Sequence, residues 1–154
     1  YAVSKIIGEE LLRRSQIQTC ALRFFNVYGP GQSINGGYAA VIPAFKNAVS
    51  TGKQCTIYGD GTQIRDFIHV SDLVRIIGLA IESDDLPSEL NIASGEGTTL
   101  LQLIEILSNS NPEMQAPIFD EERAGDIHTS LADISLLKST LDIGDLITIR
   151  EGLE

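Results

Sequence analysis

The sequence predicts an α/β fold with a largely parallel sheet. Helical patterns of apolar residues alternate with short apolar runs along the chain, for example at 1–16, 19–27 and 39–51. This alternation is typical of parallel strands that are joined by helices. With 43% hydrophobic residues in 154, the chain is long and apolar enough to bury a sizeable core.

Each predicted element is a run with a single periodicity. Helices are predicted over 1–16, 39–51, 100–107 and 134–141, and strands over 19–27, 55–59, 65–70 and 90–93. Ser71 is predicted to cap one further helix, and Pro43 fits the first turn of the helix over 39–51. Residues 33–38 have the composition of a loop, and the pattern weakens after Pro112.

The charge balance limits the partners of the chain. Acidic residues outnumber basic ones by 21 to 11, which gives a formal net charge of -10. Nucleic acids and anionic membranes are therefore repelled at long range, and neither is expected as a partner. With so few cations, an anionic small ligand must be bound by individually placed arginines.

Cysteine usage and hydropathy predict a cytoplasmic protein. Cys20 and Cys55 lie in apolar runs without CxxC spacing, which favours reduced thiols over a disulfide. No apolar run reaches the roughly 18 residues that a membrane span needs, and no signal segment is evident.

The chain is expected to be part of a larger unit. A complete doubly wound domain would carry a glycine-rich phosphate-binding loop after a strand, and this sequence has no GxGxxG motif. The strands that would precede Tyr1 in such a sheet are also missing. We therefore expect the N-terminal, dinucleotide-binding half to be absent from this chain.

A phenol and an ammonium group stand four residues apart at the start of the first helix. On a helix, Tyr1 and Lys5 would lie on one face in adjacent turns. A cation beside a phenol favours the phenolate, which is the form that acts as a base. Taken alone the spacing is common, and a solvated helix pair would look the same; Ser4 and Glu9 nearby make the motif more specific.

Four further motifs follow the first one in order. Tyr1-Ala-Val-Ser-Lys5 precedes an RFFNVYGP run at 23–30 and a GDGTQIRDFIHV run at 59–70, and NIASG at 91–95 and RAGDIHTSLAD at 123–133 come after them. In order and spacing the chain resembles the NAD-dependent nucleotide-sugar epimerase/dehydratase family, part of the extended short-chain dehydrogenases. It is most similar to the UDP-glucose and UDP-N-acetylglucosamine 4-epimerases.

The resemblance implies a specific architecture. The chain would form the C-terminal part of a Rossmann-like doubly wound parallel sheet, together with a smaller α+β substrate-binding lobe. Residues 1–30 and 66–96 would complete the Rossmann domain, and 31–65 and 97–154 would form the lobe. The family often forms homodimers through the helix that carries Tyr1, so a homodimer is expected.

The resemblance also implies the site residues. Tyr1 and Lys5 would be catalytic, and together with Phe25 they would contact the cofactor, NAD. The positions that match nucleotide-sugar contacts in the family are Asn26, Val41, Tyr58, Arg65, Arg123, Asp126 and Ser130. Arg65 and Arg123 would grip the diphosphate with Asn26, Tyr58 would lie beside the uracil, and Asp126 would accept hydrogen bonds from the ribose.

Each of these assignments has a structural alternative. Asn26 could form only a local loop hydrogen bond, and the two arginines could form surface ion pairs with Asp66 or Asp126. Tyr58 could be a core residue, and Val41 could be packing only.

Three further alternatives concern a turn and the histidines. Asp126 could simply form a turn beside Gly125. His69, flanked by apolar residues in a strand, is predicted to be structural, and His128 has no ligand-spaced partner, so no metal is expected.

The implied activity is epimerisation at C4 of a UDP-hexose through a 4-keto sugar. Small Ser130, where relatives place a residue beside the C2 substituent, favours a substrate with an N-acetyl group, and the stretch 35–43 resembles the N-acetyl-using branch. A 4,6-dehydratase or decarboxylase of the same family is an alternative. An alternative of another class is a nucleotide-sugar-binding fragment without turnover, and this chain alone is expected to be inactive.

Overall fold

The computed structural model describes residues 1–33 and 40–154. Among these residues the helices are α1 (Ala2–Arg13), α2 (Val41–Ser50), α3 (Val70–Glu82), α4 (Leu100–Ser110), α5 (Ser135–Thr140) and α6 (Ile149–Leu153). The strands are β1 (Ala21–Phe24), β2 (Asn26–Tyr28), β3 (Thr56–Tyr58), β4 (Ile64–His69), β5 (Glu89–Ile92), β6 (Gly97–Thr99), β7 (Ile118–Asp120) and β8 (Thr129–Ser130). The predicted loop residues 34–38, the predicted helix residue Ala39 and residues 35–39 of the 35–43 stretch lie outside the described part.

Most of the strand pairs are parallel, which confirms the predicted α/β class. Strand β1 pairs with β5, β2 with β4, β3 with β7 and β4 with β8, all in parallel. Only β6, which pairs with β4, is antiparallel among the described strands. The chain therefore alternates parallel strands with helices, as its periodicity predicts.

The single strand predicted over 19–27 is wrong, because it consists of two strands that pair with different partners. Arg23 of β1 faces Asn91 of β5, whereas Asn26 of β2 faces Phe67 of β4. Phe25 lies between them and donates its backbone N–H to the carbonyl of Ile92, 3.1 Å away. An apolar run cannot reveal such a switch, because both halves are equally suited to a strand.

The predicted cap of the central helix is also wrong. Helix α3 begins at Val70, directly after β4, and its N-cap is His69 rather than Ser71. The Nδ1 atom of His69 accepts a hydrogen bond from the backbone N–H of Ser71 at 3.3 Å. His69 is buried, and its ring packs edge-on against Tyr28, so the predicted structural role of this histidine is observed.

The apolar side chains form two cores. The first joins β4, β5, α3 and α5 through side chains such as Ile68, Ile76, Leu90 and Leu137. The second joins β2, β3, α2 and α4, and includes Tyr28, Phe45, Ile57 and Leu103. The first core combines apolar residues from 68–93, which the resemblance assigns to the Rossmann domain, with others from 132–143, which it assigns to the substrate lobe. The division of the chain into these two interleaved domains stays a prediction.

Both cysteines are free thiols, Cys55 buried and Cys20 half-buried. Burial raises the pKa of each thiol above its ordinary value, and for Cys20 the nearby Glu89 carboxylate adds to the rise. The thiolate, the reactive form, is therefore disfavoured at both positions.

Within residues 1–33 and 40–154, no helix combines the length and the apolar character that crossing a membrane would require.

Candidate functional site

Six of the seven residues predicted to contact a nucleotide sugar line one cavity of about 240 Å³. They are Asn26, Val41, Tyr58, Arg65, Arg123 and Asp126. They come from β2, the first turn of α2, the end of β3, the start of β4 and the loop between β7 and β8. These segments are far apart in sequence, so only the tertiary fold brings the six side chains together.

Arg65 and Asp126 form an ion pair across this cavity. The distance between Arg65 Nη2 and Asp126 Oδ1 is 2.7 Å, and the side chains are 16% and 30% exposed. Arg65 Nη1 also donates to its neighbour's carbonyl, that of Ile64, at 2.8 Å. The alternative of an ion pair with Asp126 is therefore observed for Arg65. The pair also fixes the guanidinium at the cavity wall, where a phosphate oxygen could reach its remaining N–H groups.

Arg123 lies over the aromatic ring of Tyr58. The guanidinium carbon is 3.7 Å from the ring centroid, which is a close cation–π contact. Tyr58 is only half-buried and belongs to neither core, so the core alternative for this residue is not observed. A planar cation and an aromatic face thus line the cavity together.

The remaining cavity residues are held by backbone contacts and packing. Asn26 Nδ2 donates to the carbonyl of Asp66 at 2.9 Å, which ties β2 to β4 across 40 residues of sequence rather than forming a local loop bond. Val41 lines the cavity and also packs against the second core. The predicted position at a ligand cavity and the alternative of a packing residue therefore both apply to it. Asp126 donates its backbone N–H to the carbonyl of Arg123 at 3.0 Å, and Gly125 has a φ of +81°, which makes the predicted turn.

Ser130 is not among the residues that line this cavity. It lies half-buried on β8, where its Cα is paired with that of Arg65 in the parallel ladder. Ser130 therefore lies on the strand next to that of Arg65, whose guanidinium forms the ion pair with Asp126. Its predicted position beside the sugar C2 substituent stays a prediction.

Tyr1 and Lys5 line a second, larger cavity of about 830 Å³, together with residues of α1 and β1. Lys5 Nζ lies 5.1 Å from the centroid of the Tyr1 ring, and the Tyr1 side chain is almost fully exposed. The predicted proximity of the phenol and the ammonium group is therefore observed. Phe25 instead packs, half-buried, against the first core.

The linings of the two cavities come close in sequence at the switch between β1 and β2. Phe24 lines the cavity of Tyr1 and Lys5, and Asn26, two residues later, lines the smaller cavity.

Tyr28 has a different role from Tyr1. Its ring is buried, and its hydroxyl donates to the carbonyl of Thr148 at 3.2 Å. Burial, with a smaller contribution from the carboxylates of Asp72 and Glu151, raises the pKa of Tyr28 to about 12. Tyr28 is therefore held neutral and cannot serve as a base near neutral pH.

Sequence reasoning missed the role of Asp66, which was considered only as a surface partner for arginine. Its side chain is completely buried and accepts hydrogen bonds from the N–H and hydroxyl of Ser94 and the N–H groups of Gly95 and Ala132, at 2.7–3.2 Å. Asp66 thereby joins β4 to the segments after β5 and β8. A carboxylate directly before the apolar residues Phe67 and Ile68 of a strand was the available signal.

A second charged cluster was also missed. Arg23 of β1 forms a bidentate ion pair with Glu9 of α1, in which Nε and Nη2 lie 2.7 and 2.6 Å from the two carboxylate oxygens. Both residues line the cavity of Tyr1 and Lys5. The hydrogen bond from Arg23, more than the charge of Arg13, lowers the pKa of the Glu9 carboxyl.

In the described part of the chain, no group of three or more His, Cys, Asp or Glu side chains has the geometry to hold a metal ion. His128 contacts the hydroxyls of Thr62 and Thr129.

The α/β fold thus presents one cavity with two guanidinium groups and an aromatic ring, which suits a phosphorylated nucleotide, and a second cavity with a tyrosine–lysine pair. The model of the NAD dependent epimerase/dehydratase family matches residues 1–93, more than half of the chain. The chain therefore belongs to this NAD-dependent family.

Known relatives have several activities. A dTDP-4-dehydro-6-deoxy-D-allose reductase of a Streptomyces species is 34% identical over 158 aligned positions, which cover all of this chain and 48% of the relative. The crystal structure of UDP-glucose 4-epimerase from Thermotoga maritima with UDP-glucose is 32% identical, with a TM-score of 0.87, and covers 99% of this chain and 48% of that one.

UDP-N-acetylglucosamine 4-epimerase from Methanobrevibacter ruminantium M1, solved with UDP-N-acetylmuramic acid, is 36% identical, with a TM-score of 0.83. That alignment covers 99% of this chain and 50% of the epimerase. The chain thus spans about half the length of the relatives that it matches.

Proposed function

We propose that the complete protein catalyses NAD-dependent epimerisation at C4 of a UDP-hexose, and that this chain supplies the nucleotide-sugar pocket and the catalytic pair. The observation that carries the proposal is that six of the residues matching nucleotide-sugar contacts line one cavity, and that one of them, Asn26, is two residues from Phe24 in the lining of the Tyr1 and Lys5 cavity. We infer that one ligand holds its nucleotide beside Arg65 and Arg123 and its hexose toward Tyr1.

The chemistry of the smaller cavity suits a uridine diphosphate. The planar guanidinium groups of Arg65 and Arg123 match the oxygens of a diphosphate. Among the residues that line the cavity, Asp126 alone carries a negative charge that offsets theirs. The same carboxylate can accept hydrogen bonds from ribose hydroxyls. The ring of Tyr58 offers an aromatic face for a pyrimidine, although Arg123 lies over one side of it.

The residues of the larger cavity suit proton transfer to and from the sugar. Tyr1 as phenolate would remove the proton of the sugar O4 hydroxyl and later return it. Lys5, on the same helical face, would stabilise the phenolate and offer N–H donors to a ribose hydroxyl of the cofactor. NAD, when bound, would supply the acceptor for the C4 hydride and the donor that returns it, so the reaction would have no net redox change. Phe25 is assigned to the cofactor side by family resemblance.

The residues present fit the nicotinamide end of NAD better than its pyrophosphate. The cavity around Tyr1 and Lys5 has about 830 Å³ of space and an exposed ammonium group. A pyrophosphate needs a glycine-rich loop at a helix N-terminus, and the sequence carries no such motif. We infer that the rest of the protein holds that end of the cofactor and, from the family resemblance, that the protein acts as a homodimer.

The proposal is tested by product analysis with the complete protein. Incubation with UDP-glucose and, separately, with UDP-N-acetylglucosamine should yield the C4 epimer of each without added reductant. In Tyr1→Phe the rate of epimer formation should fall by about 10²- to 10⁴-fold. A dehydratase would release a 4-keto-6-deoxy sugar, and a reductase such as the Streptomyces relative would consume a reduced cofactor. Half of the wild-type rate in Tyr1→Phe would refute the role of Tyr1.

The fragment alternative is tested with the 154-residue chain itself. We expect no turnover and no NAD binding at micromolar concentration, because the pyrophosphate site lies elsewhere. Tight 1:1 NAD binding in a calorimetric titration would contradict this division of the site.

A further inference from the structure

Helix α1 is attached to the sheet by charged groups rather than by an apolar face. None of its twelve residues, all of which the structure describes, is buried. Val3 and Ile6 are about two-thirds exposed, at 68% and 67%. Apolar packing within this chain therefore does not fix the rotation of α1 about its own axis.

Two ion pairs connect α1 to neighbouring strands. Arg23 of β1 grips both carboxylate oxygens of Glu9, at 2.7 and 2.6 Å. Arg13, one turn further along α1, lies 3.2 Å from Glu89 of β5. Glu89 is also 3.9 Å from Arg23, so the four side chains form one network over α1, β1 and β5.

The position of Glu9 on the helix links this network to the catalytic pair. Tyr1, Lys5 and Glu9 are spaced by four residues, so they lie along one face of α1. All three line the same cavity, and Arg23 lines it from the strand side. A two-point contact fixes both the distance and the orientation of the carboxylate, so it also restrains the direction in which Tyr1 and Lys5 point.

We propose that Glu9 and Arg23 are positioning residues, whose bidentate ion pair sets the rotation of α1 and thereby aims Tyr1 and Lys5 at the reacting sugar and cofactor. The proposal rests on the proposed function of Tyr1. The lowered pKa of Glu9 and the raised pKa of Arg23, each caused first by their mutual hydrogen bond, support a pair that stays charged at neutral pH.

The chain offers a matched control. Arg14 pairs with Glu10 at 2.7 Å, four residues earlier on the same helix. Glu10 also lies 3.8 Å from Arg13, but Arg14 itself has no ion pair with a strand residue among the described residues. Arg14→Met removes one arginine–glutamate pair within the helix. Arg23→Met removes the contacts of Arg23 with Glu9 and Glu89, and so releases α1 from β1. Arg23→Lys, which keeps the positive charge, tests partial rescue.

In the complete enzyme, Arg23→Met should lower kcat by about ten- to hundredfold, the scale expected for a misplacement of roughly 1 Å, with KM for the UDP-sugar within about twofold. The rising limb of the kcat–pH profile should move to higher pH, because Lys5 no longer supports the Tyr1 phenolate in the same geometry. Arg14→Met should match the wild type, and Arg23→Lys should recover part of the lost kcat.

A second measurement uses the 154-residue chain and does not depend on activity. Amide hydrogen exchange within residues 2–13 should accelerate in Arg23→Met, be unchanged in Arg14→Met and be intermediate in Arg23→Lys. Exchange rates in Arg23→Met equal to those in Arg14→Met would overturn the proposal. So would a fall in kcat with an unchanged pH profile.

The two proposals fail in distinguishable ways. If Tyr1→Phe keeps the wild-type rate, the proposed function fails whatever Arg23→Met does. If Tyr1→Phe is inactive and Arg23→Met behaves like Arg14→Met, only the positioning role is refuted.

Discussion

The guanidinium of Arg123 lies over the ring of Tyr58, with its carbon 3.7 Å from the ring centroid. Arg123 belongs to the loop after β7, and Tyr58 ends β3, which pairs with β7. The contact therefore closes this loop onto the strand pair and forms one wall of the smaller cavity.

This wall predicts how UDP affinity responds to substitution. Arg123→Ala should weaken UDP binding by about ten- to hundredfold, because charge-assisted hydrogen bonds contribute about 1.5–3 kcal/mol. Tyr58→Phe should stay within about twofold, because the ring remains, whereas Tyr58→Leu should weaken binding severalfold. Calorimetry with UDP measures all three. The control is Arg150→Ala, an exposed arginine on α6, and equal affinities of Arg123→Ala and Arg150→Ala would contradict the assignment.

Ser130 is predicted to control selectivity for the sugar C2 substituent. Ser130→Tyr in the complete enzyme should lower kcat/KM for UDP-N-acetylglucosamine by about tenfold to a thousandfold, through steric overlap of ~1–4 kcal/mol, and spare UDP-glucose. Because Ser130 is paired with Arg65 on the neighbouring strand, a shift of that arginine would instead weaken both substrates. Comparable losses on both, or on neither, would show that Ser130 does not line the C2 pocket.

Asp66 should be required for stability. In Asp66→Asn an amide NH₂ would face N–H and hydroxyl donors of Ser94, Gly95 and Ala132, so at least one buried group loses its partner. The expected loss in the free energy of unfolding is about 2–4 kcal/mol. Urea unfolding followed by circular dichroism measures it, and Asp142→Asn, at an exposed position, is the control. A loss of unfolding free energy in Asp66→Asn no larger than that in Asp142→Asn would contradict this role.

The Glu9–Arg23 pair predicts a titration. The pKa of the Glu9 carboxyl is lowered from 4.5 in the folded chain. The ion pair therefore stabilises the folded chain fully above pH 4.5, and this stabilisation is lost as the pH falls through the lower pKa of the folded state. Carboxyl NMR of Glu9 should show a midpoint below 4.5 in the wild type. In Arg23→Met the midpoint should return toward 4.5, and an unmoved midpoint would mean that Arg23 does not cause the shift.

Local features of the site followed from the sequence alone. The four-residue spacing of Tyr1 and Lys5 places them on one helical face whatever surrounds the helix, because the period belongs to the backbone itself. The alternation of helical and extended runs likewise determined the α/β class, since the two kinds of run differ in length, in apolar periodicity and in their flanking turn residues.

Long-range contacts were decided only by the tertiary structure. Arg65 finds Asp126 across 61 residues, and the apolar run at 19–27 divides at Phe25 because β5 and β4 accept its two halves separately. The buried role of Asp66 depends on N–H groups supplied 28 to 66 positions away. Partner choice of this kind is a property of the packed chain, because hydrogen-bond donors and ion-pair partners meet only after the strands have paired and the cores have closed.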